Sequence, residues 1–170
     1  MKVIIKMEKV SKIGFGGGCN WCTEGVFQSL KGVLHVDQGW ISSTGANDSY
    51  SEGIIVTYNP ELIPLPILIE IHLLTHSSTS NHAMRDKYRS AIYVYSTLEK
   101  IEVNEAIQTL QGQFSEKIMT QTLSLEGFKR NKERFLNYYK KQPEASFCTT
   151  YIEPKIQQLI KTHNKYLNKQ

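Results

Sequence analysis

Three cysteines in 170 residues cannot all pair with one another. Their scarcity argues against the static disulfide framework that holds small secreted domains together. A chain of this length does not need one, because it buries roughly 70% of its unfolded surface on folding. No run is apolar for the length of a membrane span; the richest stretch, Leu62 to Leu74, is broken by Pro64, Pro66 and Glu70. The first ten residues, MKVIIKMEKV, lack an unbroken signal-peptide core, so the expected compartment is the cytoplasm, where thiols stay reduced. Internal repeats, low-complexity tracts and Gly/Ser/Pro-rich linkers are also absent, and a single domain over 1–170 is expected. Charge imbalance is slight, twenty Lys/Arg against sixteen Asp/Glu. Ten of those basic residues, against three acids, lie between Phe128 and Gln170, but no nucleic-acid motif accompanies them. The segment reads as a solvated face, and neither nucleic acid nor a membrane is an expected partner.

What the chain does contain is an alternation of strand and helix signals. Strands are predicted at Lys12–Phe15, Val33–Gly39, Ile54–Tyr58, Ser90–Tyr95 and near Ile118–Leu123. Helices are predicted at Cys19–Leu30, Pro64–Thr75, Leu98–Phe114 with Ile101, Ala106, Ile107 and Leu110 inward, Lys132–Lys141, and from Pro154 onward. Turn-forming residues fill Ser42–Asp48, and Asn59-Pro60 closes the third strand. The expected fold class is α/β (α+β), a two-layer sandwich with helices packed on a ferredoxin-like mixed sheet.

The informative segment is Gly14-Phe15-Gly16-Gly17-Gly18-Cys19-Asn20-Trp21-Cys22-Thr23-Glu24. A strand runs into three glycines, and a cysteine stands where a helix begins. Glycine lets the backbone turn sharply there, and the helix amino terminus lowers the pKa of a thiol placed on it. That is one way to build a nucleophilic cysteine; a pair of small buried residues at a tight turn is the plainer reading. Zinc binding through Cys19 and Cys22 would need two further ligands; no second Cys-x-x-Cys exists, and His72 and His76 sit on or near an apolar helix and read as structural. No metal site is expected.

The segment Gly17 to Glu24, with Val26-Phe27 and Leu30-Lys31-Gly32-Val33, resembles the signature of the peptide methionine sulfoxide reductase A family, usually G-G-C-F-W. Three further blocks follow in that family's order. Ser51-Glu52-Gly53-Ile54 through Tyr58-Asn59-Pro60 is similar to its H-A-E…Y-D-P. Lys87-Tyr88-Arg89-Ser90-Ala91-Ile92-Tyr93 is similar to Q-Y-R-S-A-I-Y. Asn137 to Pro143, Phe147-Cys148 and Ile152-Glu153-Pro154-Lys155 are similar to the carboxy-terminal N-P…Y-C…I-x-P-K pattern. The resemblance implies Cys19 as nucleophile toward the sulfoxide sulfur, and Glu52 as the acid serving its oxygen. It implies Tyr88 as a phenol donating to the same oxygen, Trp21 as a wall of the methyl pocket, and Cys148 as the thiol that resolves the sulfenic acid. The implied substrates are methionine S-sulfoxides, free or in proteins. The implied reductant is thioredoxin-like; no bound cofactor is implied, because thiols supply the electrons. A monomer is expected.

The chain departs from the pattern in four places. Asn20 replaces the phenylalanine beside the nucleophile. The Thr44–Tyr50 loop is short, leaving Tyr50 as the stand-in for a second substrate-side tyrosine. Ser77–Asp86 is shortened and has no matching aspartate. Phe128–Leu136 has lost the family's F-Y-x-A-E-D-Y-H-Q glutamate and histidine. Two other functions remain open on the sequence. One is a thiol–disulfide oxidoreductase using Cys19 and Cys22, in which Cys22 is the alternative resolving thiol. The other is a non-catalytic redox-sensing or binding module on the same fold.

Overall fold

The computed structural model describes residues 9–169. Its frame is a β-α-β-β-α-β unit: β1 (Ser11–Gly16), α1 (Asn20–Gln28), β2 (Val33–Ser42), β3 (Ser51–Tyr58), α2 (Leu65–Thr75) and β4 (Ala91–Val94). These four strands run β4-β1-β3-β2 with every pairing antiparallel, the ferredoxin-like order. Then come α3 (Thr97–Leu110), β5 (Gln121–Ser124), β6 (Gly127–Arg130), α4 (Tyr138–Lys141) and α5 (Glu153–Thr162). β5 joins β4 in parallel at one edge and β6 joins β2 antiparallel at the other, so the six-stranded sheet is mixed, as the sequence led us to expect.

Strand alternation divides the core between the two faces of the sheet. Ile13, Phe15, Ile54, Val56, Ile92 and Val94 face the helices and pack with Val26, Phe27, Leu30, Leu68, Ile69, Ile152, Ile156 and Leu159. The opposite face carries a smaller cluster of Ile41, Ile55, Ala91 and Tyr93. Two close approaches bring the layers together around α1. Gly17 sits at φ 144°, and a Cβ there would lie 2.5 Å from the His76 ring. Gly25 lets Tyr139 and Ile152 pack directly on the helix.

Several elements differ from their sequence expectation. The helix expected over Lys132–Lys141 is reduced to α4, preceded by a 3₁₀ turn at Glu133–Phe135 and by Asn137 at φ 56°. Its backbone is captured by tertiary partners, because the Phe135 carbonyl accepts from both Trp21 Nε1 and Gln38 Nε2. β6 lies in a stretch that had no strand signal, and the strand expected near Ile118–Leu123 starts later, leaving Ile118 as a core residue. On α3 the buried stripe is Val103 and Leu110, whereas Ile101, expected inward, is 51% exposed. The stretch before α5 is a five-residue π turn, Cys148–Ile152.

Candidate active site

Cys19 is the amino-terminal cap of α1, in extended conformation (φ −60°, ψ 135°), where β1 ends and the glycines turn the chain. Three fasteners hold this turn: His72 Nε2 lies 2.8 Å from the Gly16 carbonyl, Arg85 Nη1 donates to the Gly17 carbonyl at 2.9 Å, and the His76 ring fills the space beneath Gly17. Arg85 also donates to the carbonyls of Tyr88 and Ser80 at 2.9 Å and to that of Ser77. The shortened Ser77–Asp86 segment therefore still ties the glycine turn before Cys19 to Tyr88. Burial lowers the pKa of both histidines, that of His76 to about 4, so they stand neutral at physiological pH.

The Cys19 thiol has its pKa lowered from 9.0 to about 7. The Cys22 thiol, one helical turn on, is the largest cause, because it donates to the thiolate; the Trp21 and Cys22 amides add to it. Partial burial and the Glu52 carboxylate oppose them. The same pairing pushes Cys22 strongly upward, so the proton shared by the two thiols stays on Cys22. Glu52 leads β3 on the helix-facing side of the sheet, and the Asn20 amide donates to its Oε2 at 3.1 Å. Burial raises the Glu52 pKa, against smaller opposing effects of that amide and Lys87. The pair thus combines a thiol that ionises more readily than usual with a carboxyl that gives up its proton less readily than usual.

Both groups open into one cavity of about 300 Å³, lined by Cys19, Asn20, Trp21, Trp40, Glu52, Lys87, Tyr88, Asn131 and Phe135. Trp21 is fixed by its bond to the Phe135 carbonyl (3.1 Å), by stacking on Tyr138 at 4.0 Å, and by the edge of Phe147 at 5.2 Å. A larger cavity, about 560 Å³, lies over the far end of α1 and contains none of the expected site residues. Among the described residues no group of three or more His, Cys, Asp and Glu is placed to hold a metal ion.

Five of the residues singled out in the sequence meet here: Cys19, Asn20, Trp21, Glu52 and Tyr88. Tyr50 does not line the cavity; it is 39% exposed, with Lys129 Nζ 4.2 Å above its ring. Trp40, which pairs across the strands with Glu52, forms an aromatic wall instead. Sequence reading missed it, although pairing β2 with β3 through the Ser42–Asp48 turn would have pointed to it. Asn131 and Phe135 had no such signal. Cys148 is fully buried at the start of the π turn, its thiol pKa raised by burial, and its charge adds a small upward push to Cys22. All three cysteines are free.

Asn20 is more firmly anchored than a simple lining residue. Its Nδ2 donates to the Gly39 carbonyl at 2.8 Å, its Oδ1 has no partner among the described residues, and the side chain is buried. Asn20→Phe is expected to lower KM for the methyl sulfoxide that the resemblance implies, since an added apolar contact discriminates by about 1–3 kcal/mol per methyl-sized group. It also removes the bond to Gly39, at a cost of about 1 kcal/mol in stability. Steady-state kinetics and a thermal melt check both; a raised KM would mean that Asn20 serves a different substrate.

A family model described as peptide methionine sulfoxide reductase matches residues 11–168. The peptide methionine sulfoxide reductase MsrA of Pseudarthrobacter chlorophenolicus is 32% identical over 90% of this chain and 96% of its own. That of Trichodesmium erythraeum is 34% identical over 88% and 93%. Among solved structures, reduced Mxr1 from Saccharomyces cerevisiae superposes with a TM-score of 0.71 at 23% identity, covering 84% of this chain and 91% of that one. Mxr1 in complex with Trx2 gives 0.61 at 21% identity, covering 74% and 84%.

Proposed function

The chain belongs to the peptide methionine sulfoxide reductase family, and from that premise we propose that it reduces methionine S-sulfoxide to methionine, with Cys19 as nucleophile and Glu52 as proton donor. The observation that carries the reading is the shared cavity of an easily ionised Cys19 thiol and a Glu52 carboxyl whose pKa is raised. The Cys19 thiolate attacks the sulfoxide sulfur while Glu52 delivers a proton to the oxygen, with Tyr88 donating a hydrogen bond to it. Methionine leaves as the thioether, and Cys19 keeps the oxygen as a sulfenic acid. Trp21, Trp40 and Asn20 enclose the methyl-sulfide end. A resolving thiol then displaces water to give a disulfide, which a thioredoxin-type dithiol reduces. A compartment that keeps thiols reduced, such as the cytoplasm, suits three free cysteines, and no helix among the described residues is long and apolar enough to cross a membrane. The whole chain acts here as one reductase domain.

Incubation with N-acetyl-methionine sulfoxide and dithiothreitol tests the activity. N-acetyl-methionine production supports it, whereas reduction of insulin disulfides without sulfoxide turnover would favour a thiol–disulfide exchange enzyme.

For the resolving step we favour Cys148. Phe147, the residue before it, packs on the edge of Trp21, and Cys148 opens a π turn, an irregularity frequent at functional sites. The second reading is Cys22, favoured by its direct interaction with Cys19. Under the first, Cys148→Ser turns over with dithiothreitol but at least tenfold more slowly with thioredoxin, while Cys22→Ser works with both. Peptide mapping after one equivalent of sulfoxide should find Cys19 linked to Cys148; a Cys19–Cys22 link would move the role to Cys22.

A further inference from the structure

The sulfoxide chemistry needs a thiolate and an acid, and it starts and ends with neutral groups on the substrate. Yet the cavity wall carries a cation, Lys87, the sole Lys or Arg among its lining residues. The chemistry does not explain it. A positive charge beside Glu52 pulls the carboxyl pKa down, against the direction that a proton donor needs. Nor does the fold explain it, because Lys87 makes no salt bridge among the described residues and its side chain is exposed.

The backbone of Lys87 is nonetheless fixed. Its carbonyl accepts from the Glu52 amide at 2.9 Å and from Ser51 Oγ at 2.8 Å, which fastens it to the start of β3. The side chain rises from that anchor along Tyr88, with Nζ 5.2 Å from the ring centroid, and it stays protonated because Tyr88 and the nearby acidic groups hold its pKa up. A firmly held base, an exposed ammonium without a carboxylate partner among the described residues and a place on the cavity wall are the attributes of a group that meets an incoming anion.

Resting on the sulfoxide-reductase reading, we propose that Lys87 makes this site selective for sulfoxides that carry a carboxylate next to the reacting side chain. Such a carboxylate has two sources: the α-carboxylate of free or C-terminal methionine sulfoxide, and the side chain of an acidic residue flanking an oxidised methionine. The first anion lies a few bonds from the sulfinyl group and the second one residue further along the chain, each addressed by a flexible lysine whose backbone is bonded to that of Glu52.

The test compares three substrates at low ionic strength: N-acetyl-methionine sulfoxide, its neutral N-methylamide, and an acetylated, amidated dipeptide in which aspartate follows the sulfoxide. The readout is the ratio of kcat/KM for each carboxylate over that for the neutral amide, so any effect of a substitution on the common chemistry cancels. The native protein should prefer at least one carboxylate by about fivefold, the upper end of what a solvent-facing ion pair supplies. Lys87→Gln should bring that ratio close to one, mainly through KM, and Lys87→Glu should drive it below one. Raising the salt concentration should erode the native preference, leave the Lys87→Gln ratio unmoved and bring the Lys87→Glu ratio back towards one. Which of the two ratios collapses identifies the source of the carboxylate. A native ratio of one, or a preference that survives both substitutions, overturns the inference while leaving the reductase reading in place. Absence of turnover with all three substrates overturns that reading, and this inference with it.

Discussion

Replacing Cys19 by serine is expected to abolish sulfoxide reduction, with kcat/KM falling by on the order of ten-thousand-fold or more. A hydroxyl at neutral pH is almost wholly protonated, and the donors that bring the Cys19 thiol to about 7 cannot ionise an alcohol. The substitution also leaves no sulfur to become a sulfenic acid, so no later step can begin. The fold should not suffer, because position 19 caps α1 and serine is a better cap than cysteine. Inactivity combined with an unchanged or raised Tm would therefore isolate the chemistry from stability. Alkylation by iodoacetamide gives a second measurement. The native protein should show a fast-reacting thiol with a midpoint near pH 7, and Cys19→Ser should show only slow modification. Residual turnover above a trace would reassign the nucleophile, and Cys22 would be the next candidate.

The sequence revealed the site where its geometry is local. The strand, the three glycines and the helix-start cysteine occupy nine consecutive residues, Ser11 to Cys19, and their chemistry follows from backbone rules that need no tertiary knowledge. Glu52 is different. Taken alone it is a residue at the start of a strand, and its meaning comes from register: it pairs with Trp40, and the Asn20 amide reaches it. The motif order made Glu52 visible; the pattern of its own neighbours did not. Beyond that, tertiary capture overrode local propensity. Residues 132–141 carry a helical pattern, but the Phe135 carbonyl bonds to side chains from α1 and β2, and the segment becomes a wall of the cavity. Partners about a hundred residues apart leave no trace in a local window. The two-layer α/β class was legible because helices of ordinary length alternate with the strands, whereas β6, a four-residue edge strand, carries no such signal.

Glu52→Gln is expected to slow the reaction by about 10²- to 10⁴-fold and, more tellingly, to change the shape of its pH profile. The productive state of the native pair holds one proton, on Glu52, with Cys19 ionised. Acid adds a second proton and quenches the thiolate. Alkali removes the only proton and disarms the donor. The native kcat/KM should therefore rise and then fall with pH, with limbs that belong to the pair and not to either residue. Glutamine keeps the acceptor for the Asn20 amide and the volume of the side chain, but it has no proton to transfer. Only ionisation of Cys19 then matters, so the variant should climb with pH and remain level in alkali. The position of its climb is also fixed in sign. The Glu52 carboxylate raises the Cys19 pKa, and removing that charge should move the midpoint below the native value of about 7. Native and variant rates should accordingly converge as pH rises above 8. If Glu52→Gln instead keeps the alkaline decline, the proton comes from another group, and Tyr88, on the same cavity wall, would be the residue to substitute next.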